Sequence, residues 1–371
     1  MSRAIGLAAL GLIGCGRLGF GPPPPADDAA AAIDAPPVPE SICKVDRIPL
    51  AVPAMADLAI TGTSAGYSAI WVDPTGATEA HGVVLARNHQ LAGSLALPAI
   101  KDTRLGGLTD LGAKLVLSTG DGVFQATWTL DPDLTTASAG PRNNDFVMAH
   151  GQYPSDASQT PRAFVTATGT SMTAAYIASD GTINAPSTVS HGTAGRVTDL
   201  ACADGPDHAH CTWVEALSTI NGASQCTASD VKLRPVLSIP GGPILSGDCY
   251  NVRTSSGPDA ADSLIAVWTT SDRRVEARYV GTGGLDLVHS VAPAGSAPKV
   301  QFDGALFWIA WLDGRDALQL ASFDVKGAIK YYSLAGWVPI GPEAFELVRR
   351  GNETALVLVS RDGLDILTIC T

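Results

Sequence analysis

The sequence predicts an all-β protein: a single β-propeller of about seven four-stranded blades, with the last blade closed by a strand from the amino-terminal end. Three observations carry this. The 371 residues include 39 Gly and 25 Pro, so turns are frequent and long amphipathic helical stretches are hard to find. From Leu58 onward, short apolar or alternating runs separated by turn signals recur roughly every 40 to 50 residues, the period of a propeller blade. Finally, Trp71, Trp213, Trp268 and Trp311 fall at matching places in four of these units, as large residues packed between sheets would.

The propeller is expected over 42–371. Its clearest unit reads as four strands at 299–302, 305–312, 317–325 and 329–334, with turns at Asp303-Gly304, Asp313-Gly314 and Lys326-Gly327. The second strand of each unit is the easiest to align: 68–73, 114–118, 163–167, 211–215, 264–269, 307–312 and 355–359. The last unit supplies only three strands, near 345–348, 355–359 and 364–369. The short apolar stretch 47–52 is therefore expected to supply the fourth and so remove an exposed edge.

Ahead of this domain lie two further segments. Residues 1–3 form a short cationic start, residues 4–13 are apolar and uncharged, and Leu12-Ile13-Gly14-Cys15 closes the run. The run is too short for an ordinary membrane-spanning helix and has the layout of an export signal. Leu12-Ile13-Gly14-Cys15 resembles the lipobox of bacterial lipoproteins. That resemblance implies cleavage before Cys15, a diacylglycerol on its thiol and acylation of the new amino terminus. With Gly16 next to the Cys in place of the Asp typical of inner-membrane retention, it implies an outer-membrane lipid anchor, facing the periplasm or the cell surface. Residues 15–41, with Pro22 to Pro25 and Ala29 to Ala32, have almost nothing to bury and read as a disordered spacer. A polyproline-like stretch of about 25 residues reaches roughly 75 Å.

Without Cys15, six cysteines remain, an even set in an exported chain, and three disulfides are expected. The blade register suggests Cys202–Cys211 across a hairpin, Cys226–Cys249 between a turn excursion and a blade junction, and Cys43–Cys370 where the ring closes.

Two fragments, Trp311-Leu-Asp313-Gly-Arg315-Asp316 and Trp268-Thr-Thr-Ser-Asp272-Arg273, resemble blade turns of uncharacterised secreted bacterial β-propeller lipoproteins. The resemblance concerns architecture and implies no activity. Regular Gly-His and Trp-Asp pairs, the double-Gly kelch signature and the sialidase Asp turn are all missing from the sequence.

The chemistry in the sequence is sparse. Asp and Glu number 36 against 24 Lys and Arg, a formal charge of -12, and no basic stripe invites nucleic acid. Nucleophile elbows, zinc-protease helices, phosphate-cradling loops and calcium loops are absent, and no cofactor is expected. Asp204, Asp207, His208 and His210 have metal-ligand chemistry, but a two-residue His spacing is a weak signal, and a polar hairpin loop with no metal is the expected reading. The turns between second and third strands carry Asp73, Asp121, Asp272, Arg273, Arg274, Asp313, Arg315, Asp316, Arg361 and Asp362. They should line one rim, where acids and arginines could hold a polar ligand, although such residues more often cap turns and pair with one another. The reading favoured is a non-catalytic binding propeller, attached to the bilayer through acylated Cys15, that presents this rim to a protein or glycan. A propeller enzyme, such as a glycoside hydrolase or metal-dependent hydrolase, comes second and needs acids or a metal converging on the central funnel. An outer-membrane assembly factor comes third.

Overall fold

The computed structural model describes residues 40–370 apart from 76–78, 99, 101, 103, 121–123, 145, 151–161, 169–170, 179, 190–195, 205–207, 217–223, 233–248, 258–263 and 281–287. Among the described residues every regular element is a strand. The first sheet is β2 (Asp57–Gly62), β3 (Gly66–Val72), β4 (Ala80–Ala86) and β5 (Leu91–Leu97), in that order. The second is β6 (Arg104–Asp110), β7 (Leu115–Gly120), β8 (Phe124–Leu130) and β9 (Ala137–Asn144). The third is β10 (Phe146–His150), β11 (Arg162–Thr168), β12 (Ser171–Ile177) and β13 (Ile183–Val189). The fourth has three described strands, β14 (Arg196–Asp204), β15 (His208–Ala216) and β16 (Ser224–Lys232). The fifth is β17 (Tyr250–Ser256), β18 (Leu264–Thr269), β19 (Val275–Val280) and β20 (Val288–Ala292), and the sixth is β21 (Ser296–Phe302), β22 (Phe307–Leu312), β23 (Leu318–Phe323) and β24 (Ile329–Ser333).

The seventh sheet joins the two ends of the domain, in the order β1 (Ile42–Pro49), β27 (Gly363–Ile369), β26 (Glu353–Ser360) and β25 (Phe345–Arg350). First strands lie against first strands all the way round, β2 on β6, then β10, β14, β17, β21, β25 and back to β2. Seven sheets in a closed ring about their first strands make a single β-propeller. All seven second strands fall where the repeat puts them. The closing strand is displaced: it spans Ile42–Pro49, not 47–52. Register explains the difference, because Ile48 meets Leu364 and Ile42 meets Ile369, which buries both isoleucines, whereas 50–52 already belongs to the connection into β2.

Second strands read as continuous apolar runs because both of their faces are covered. Every residue of β3, β7, β18 and β22 is buried. The core lies between neighbouring sheets. Trp71 joins residues of the seventh and first sheets, Trp268 those of the fourth and fifth, and Trp311 those of the fifth and sixth. These three tryptophans are therefore spacers between blades, and Trp213, the fourth of the aligned set, is buried as they are.

The closing sheet is heavily cross-linked. Cys43 and Cys370 form a disulfide with Cα atoms 5.2 Å apart. Arg47 lies directly opposite Asp365 and donates to both its oxygens at 2.6 and 3.3 Å. Asp365 is fully buried. His89, in the turn between β4 and β5, bonds Asp46 Oδ2 through Nδ1 at 2.6 Å and Glu353 Oε1 through Nε2 at 3.1 Å, tying β1 and β26 to the first sheet. Because β1 begins beside Ile369, the chain enters the propeller on the face carrying the third-to-fourth strand turns.

Cys202 and Cys211 face each other across the β14–β15 ladder and are bonded. Cys249 is also disulfide-bonded; the side chain of its expected partner Cys226 lies outside the described residues. Cys226 does not occupy a turn excursion: it belongs to β16, opposite Val214.

Candidate functional site

The rim residues read from the sequence do not converge. Three of the acids, Asp73, Asp272 and Asp313, are used in or next to their own turns. Asp73 accepts from the amide and hydroxyl of Thr75. Asp272 accepts from Thr270 and from Arg274 at 2.8 Å, and Arg274 also reaches Glu276 at 2.7 Å. Asp313 Oδ1 caps the amides of Arg315 and Ala317, and its Oδ2 accepts from Gln319. Arg273 and Asp316 hold φ of 64° and 59°, the left-handed position that these five-residue turns demand. Asp362 pairs with Arg47 at 3.3 Å; Arg315 and Arg361 are exposed. Asp121 lies outside the described residues. The second-to-third strand turns thus spend their charges on turn geometry.

Nor do the metal candidates form a loop cluster. Asp204 ends β14, and His208 and His210 lie on β15, because the hairpin's ladder continues past Cys202 and Cys211 to Asp204 opposite Ala209. Asp207 and all four side chains lie outside the described residues. Among the described residues no group of three or more His, Cys, Asp or Glu could hold a metal ion.

What the fold does bring together is a belt of charge on the innermost strands. Asp57 opens β2, Asp199 lies on β14, Arg253 on β17, Lys299 on β21, Glu346 on β25, and Glu343 just ahead of β25. Lys299 Nζ meets Glu343 at 2.7 Å and Glu346 at 3.2 Å. Arg253 meets the same Glu343 oxygen at 3.4 Å and Asp199 at 3.7 Å. Asp199 Oδ2 accepts the amide of Val252, and Asp57 Oδ2 accepts that of Leu105, at 2.8 and 2.7 Å. In both cases an aspartate on one first strand takes an amide from the next blade.

Local backbone aims these groups. The first-to-second strand ladders shift register at Val197/Asp199, Tyr250/Arg253 and Ser296/Lys299, immediately before three belt residues. β-Bulges of this kind redirect the side chains that follow. Two of them contain non-glycine residues at positive φ, Asn251 at 50° and Ala297 at 49°, conformations that cost on the order of 1 kcal/mol. A fourth shift on β6, Leu105/Gly107, carries no side chain at Gly106 and Gly107.

The belt is enclosed yet reachable. Glu343 keeps 33% and Arg253 28% of its side-chain surface, against 4% for Lys299. On β6, Arg104 and Gly106 are exposed and Leu105 and Gly107 partly so, although β6 is an innermost strand, and a Cβ at Gly107 would meet nothing within 4 Å. Among the described residues, β6 is therefore open to solvent at the start of the first strands, the end opposite to where β1 enters. Tyr250, the first residue of β17, is exposed at this same end.

Enclosure and charge set the ionisation. Burial works against the Arg253 and Lys299 cations, but Glu343 and the other carboxylates around them more than offset it and hold both fully charged. Burial likewise opposes the Glu343 carboxylate, and Lys299 and Arg253 outweigh it. Asp199 is pushed up by burial despite Arg253. Asp57 is pushed up to about 7, first by burial and then by the charge of Glu343.

None of these six residues was legible as a site. They are spread over nearly 300 residues of chain, on or next to five different first strands. A single charged residue at the fourth position of β17 and of β21, in strands that hold no other charge, is the signal that could have found them.

Known proteins add the fold and stop there. No family model matches the chain, and no curated protein matches it. Solved structures do match. A structure of BBS1N in complex with ARL6DN aligns over 89% of this chain and 96% of that one, at 10% identity and a TM-score of 0.55. A chain in a mitotic checkpoint complex aligns over 91% and 98%, at 12% identity and a TM-score of 0.56. The β-propeller domain of the Trilobed protease from Pyrococcus furiosus aligns over 86% and 94%, at 8% identity and a TM-score of 0.49. The likeness is one of fold.

Proposed function

We propose that this chain is a non-catalytic binding propeller, lipid-anchored in the outer membrane through Cys15, which takes a polar, charged ligand at the open mouth of its central channel. The charge belt carries the reading. Six ionisable side chains from five blades, held inside the ring and, Lys299 apart, still partly in contact with solvent, cost desolvation energy that a propeller serving only as a scaffold would avoid with apolar residues. Binding sites in ring-shaped folds collect side chains from many elements at one opening in this way. BBS1N, of the same fold, occurs in complex with ARL6DN, and a second chain of this fold occurs in a mitotic checkpoint complex, which supports a protein as the partner. The anchor reading rests on the Leu12-Ile13-Gly14-Cys15 run.

A photo-crosslinking amino acid placed at Tyr250 tests this in intact cells, with one at Tyr331 on the outer edge of β24 as the control. A discrete adduct at 250 that is missing at 331 is expected, along with a mature amino terminus at an acylated Cys15 by mass spectrometry. Equal adducts at both positions, or none, would rule out the channel as the binding site; an unmodified terminus beyond Cys15 would rule out the anchor.

The second reading, an enzyme, has one observation in its favour: a carboxyl titrating near 7, Asp57, close to the ionised Glu343, as a general acid and its partner carboxylate would be. Glu343, however, is already engaged by both cations, which makes it a poor nucleophile or base.

A further inference from the structure

We infer that the channel mouth receives a cationic group, an ammonium or guanidinium, which sits against the Asp57 carboxylate beside the bare backbone of Gly106 and Gly107. The inference rests on the channel being the binding site and names the chemistry of what enters it.

Charge arithmetic is the first support. The belt holds four carboxylates, Asp57, Asp199, Glu343 and Glu346, and two cations. Each cation is shared between two acids within 4 Å: Arg253 between Asp199 and Glu343, Lys299 between Glu343 and Glu346. Asp57 has none. Its recorded partner is the Leu105 amide at 2.7 Å, one donor for a group with room for about four. Glu343 faces it from the approach to β25 and raises the cost of its charge, while Lys299 and Arg253, on β21 and β17, lower it only in part. Arg104, one residue before Leu105, is exposed and makes no ion pair with any belt carboxylate among the described residues.

Space is the second. Asp57 is bound to β6, an innermost strand whose start is exposed to solvent. Two residues beyond the amide that Asp57 accepts, Gly107 holds φ at 148° with no atom within 4 Å of where a side chain would begin. The Asp57 carboxylate is thus held to the strand that carries this open position, whereas the other three carboxylates lie within 4 Å of a cation. Tyr250, exposed at the same end of the channel, offers an aromatic face of the kind that attracts ammonium and guanidinium groups. A neutral glycan would leave the excess charge as it stands.

The third is the state of Asp57 in the empty protein. Near pH 7 it is about half protonated, so a bound cation must displace a proton. This gives a signature that exposed carboxylates, ionised long before pH 7, cannot produce.

The test is a titration of the purified full chain with cadaverine, pentanediol as its uncharged counterpart, and a short lysine-containing peptide blocked at both ends. We expect cadaverine to bind at least tenfold more tightly than pentanediol at pH 8, about tenfold more weakly at pH 6 than at pH 8, and with release of about half a proton at pH 7, read by calorimetry in buffers of different ionisation enthalpy. Asp57→Asn should abolish all three effects while leaving the protein folded, since it removes a charge that the fold opposes. The peptide binding tighter than cadaverine identifies a protein side chain as the source; the reverse identifies a free amine. Equal binding of cadaverine and pentanediol, no proton release, or cadaverine binding that survives Asp57→Asn would each overturn the inference. If crosslinking at Tyr250 succeeds while cadaverine fails, the cation is wrong and the site stands; if crosslinking itself fails, the site reading falls first.

Discussion

Replacing Arg47 by Met removes the ion pair that pins the closing strand to the rest of the seventh sheet. Arg47 and Asp365 are directly opposed on β1 and β27, joined by bonds of 2.6 and 3.3 Å, with Asp365 at 0% exposure and Arg47 at 30%. Breaking a fully buried pair costs about 3 to 5 kcal/mol, because one charge is left without its partner; the partial exposure of Arg47 moves the expectation to the low end. The Arg47 guanidinium also lies 5.6 Å from the ring centre of Trp337, an interaction of about 0.5 to 1 kcal/mol. Its contact with Asp362 is exposed and adds almost nothing. Urea unfolding of the oxidised protein, followed by tryptophan fluorescence, should therefore show a loss of about 3 kcal/mol with an unchanged slope. The double variant Arg47→Met with Asp365→Leu should recover most of it, since no orphan charge remains, giving a coupling of about 2 kcal/mol in the cycle. A single-variant loss below about 1 kcal/mol, or a double variant no better than the single, would refute the claim that the closing strand is held by a buried charge pair.

Two further outcomes follow from the same geometry. The Cys43–Cys370 bridge closes a separation of 327 residues and Cys202–Cys211 one of 9; chain entropy assigns them about 6 and about 3 kcal/mol, so Cys43→Ser with Cys370→Ser should lower the melting temperature more than the matching pair of changes at 202 and 211, and the reverse order would exclude the entropic account. Asp57 titrates higher in the folded protein, near 7, than in the unfolded chain, so its contribution is fully present below about pH 4 and is lost as pH rises through 7, by up to about 4 kcal/mol; melting curves from pH 5 to 8 should show Asp57→Asn gaining on the parent as pH rises, and parallel curves would contradict the shift.

The sequence exposed the ring because its signals are local and repeated. A second strand buried on both faces must be apolar throughout, as β3, β18 and β22 are, and seven such runs at one spacing leave few other architectures. The closing strand was found by counting and misplaced by five residues at its start, because Cys43, Lys44 and Asp46 interrupt the apolar positions Ile42 and Val45, and a register shift between Ile42 and Lys44 breaks the two-residue period, whereas the apolar stretch 47–52 drew attention by composition alone.

The rim acids are engaged locally for a reason that also explains the belt. An acid in a turn, such as Asp313, can be satisfied by the amides of its own five-residue turn and by a side chain of the strand that follows, and it is. Charges isolated in apolar strands have no local partner. Lys299 is 3% exposed between Pro298 and Val300, and its acids come from another blade, 44 and 47 residues on. Burying a lone lysine or arginine without such a partner is prohibitive, so each one in a first strand implies a carboxylate on a neighbouring first strand and therefore a position facing the channel. Asp57 is the member that this logic leaves over. A scaffold would satisfy it or replace it; a channel that admits a cation would leave it open.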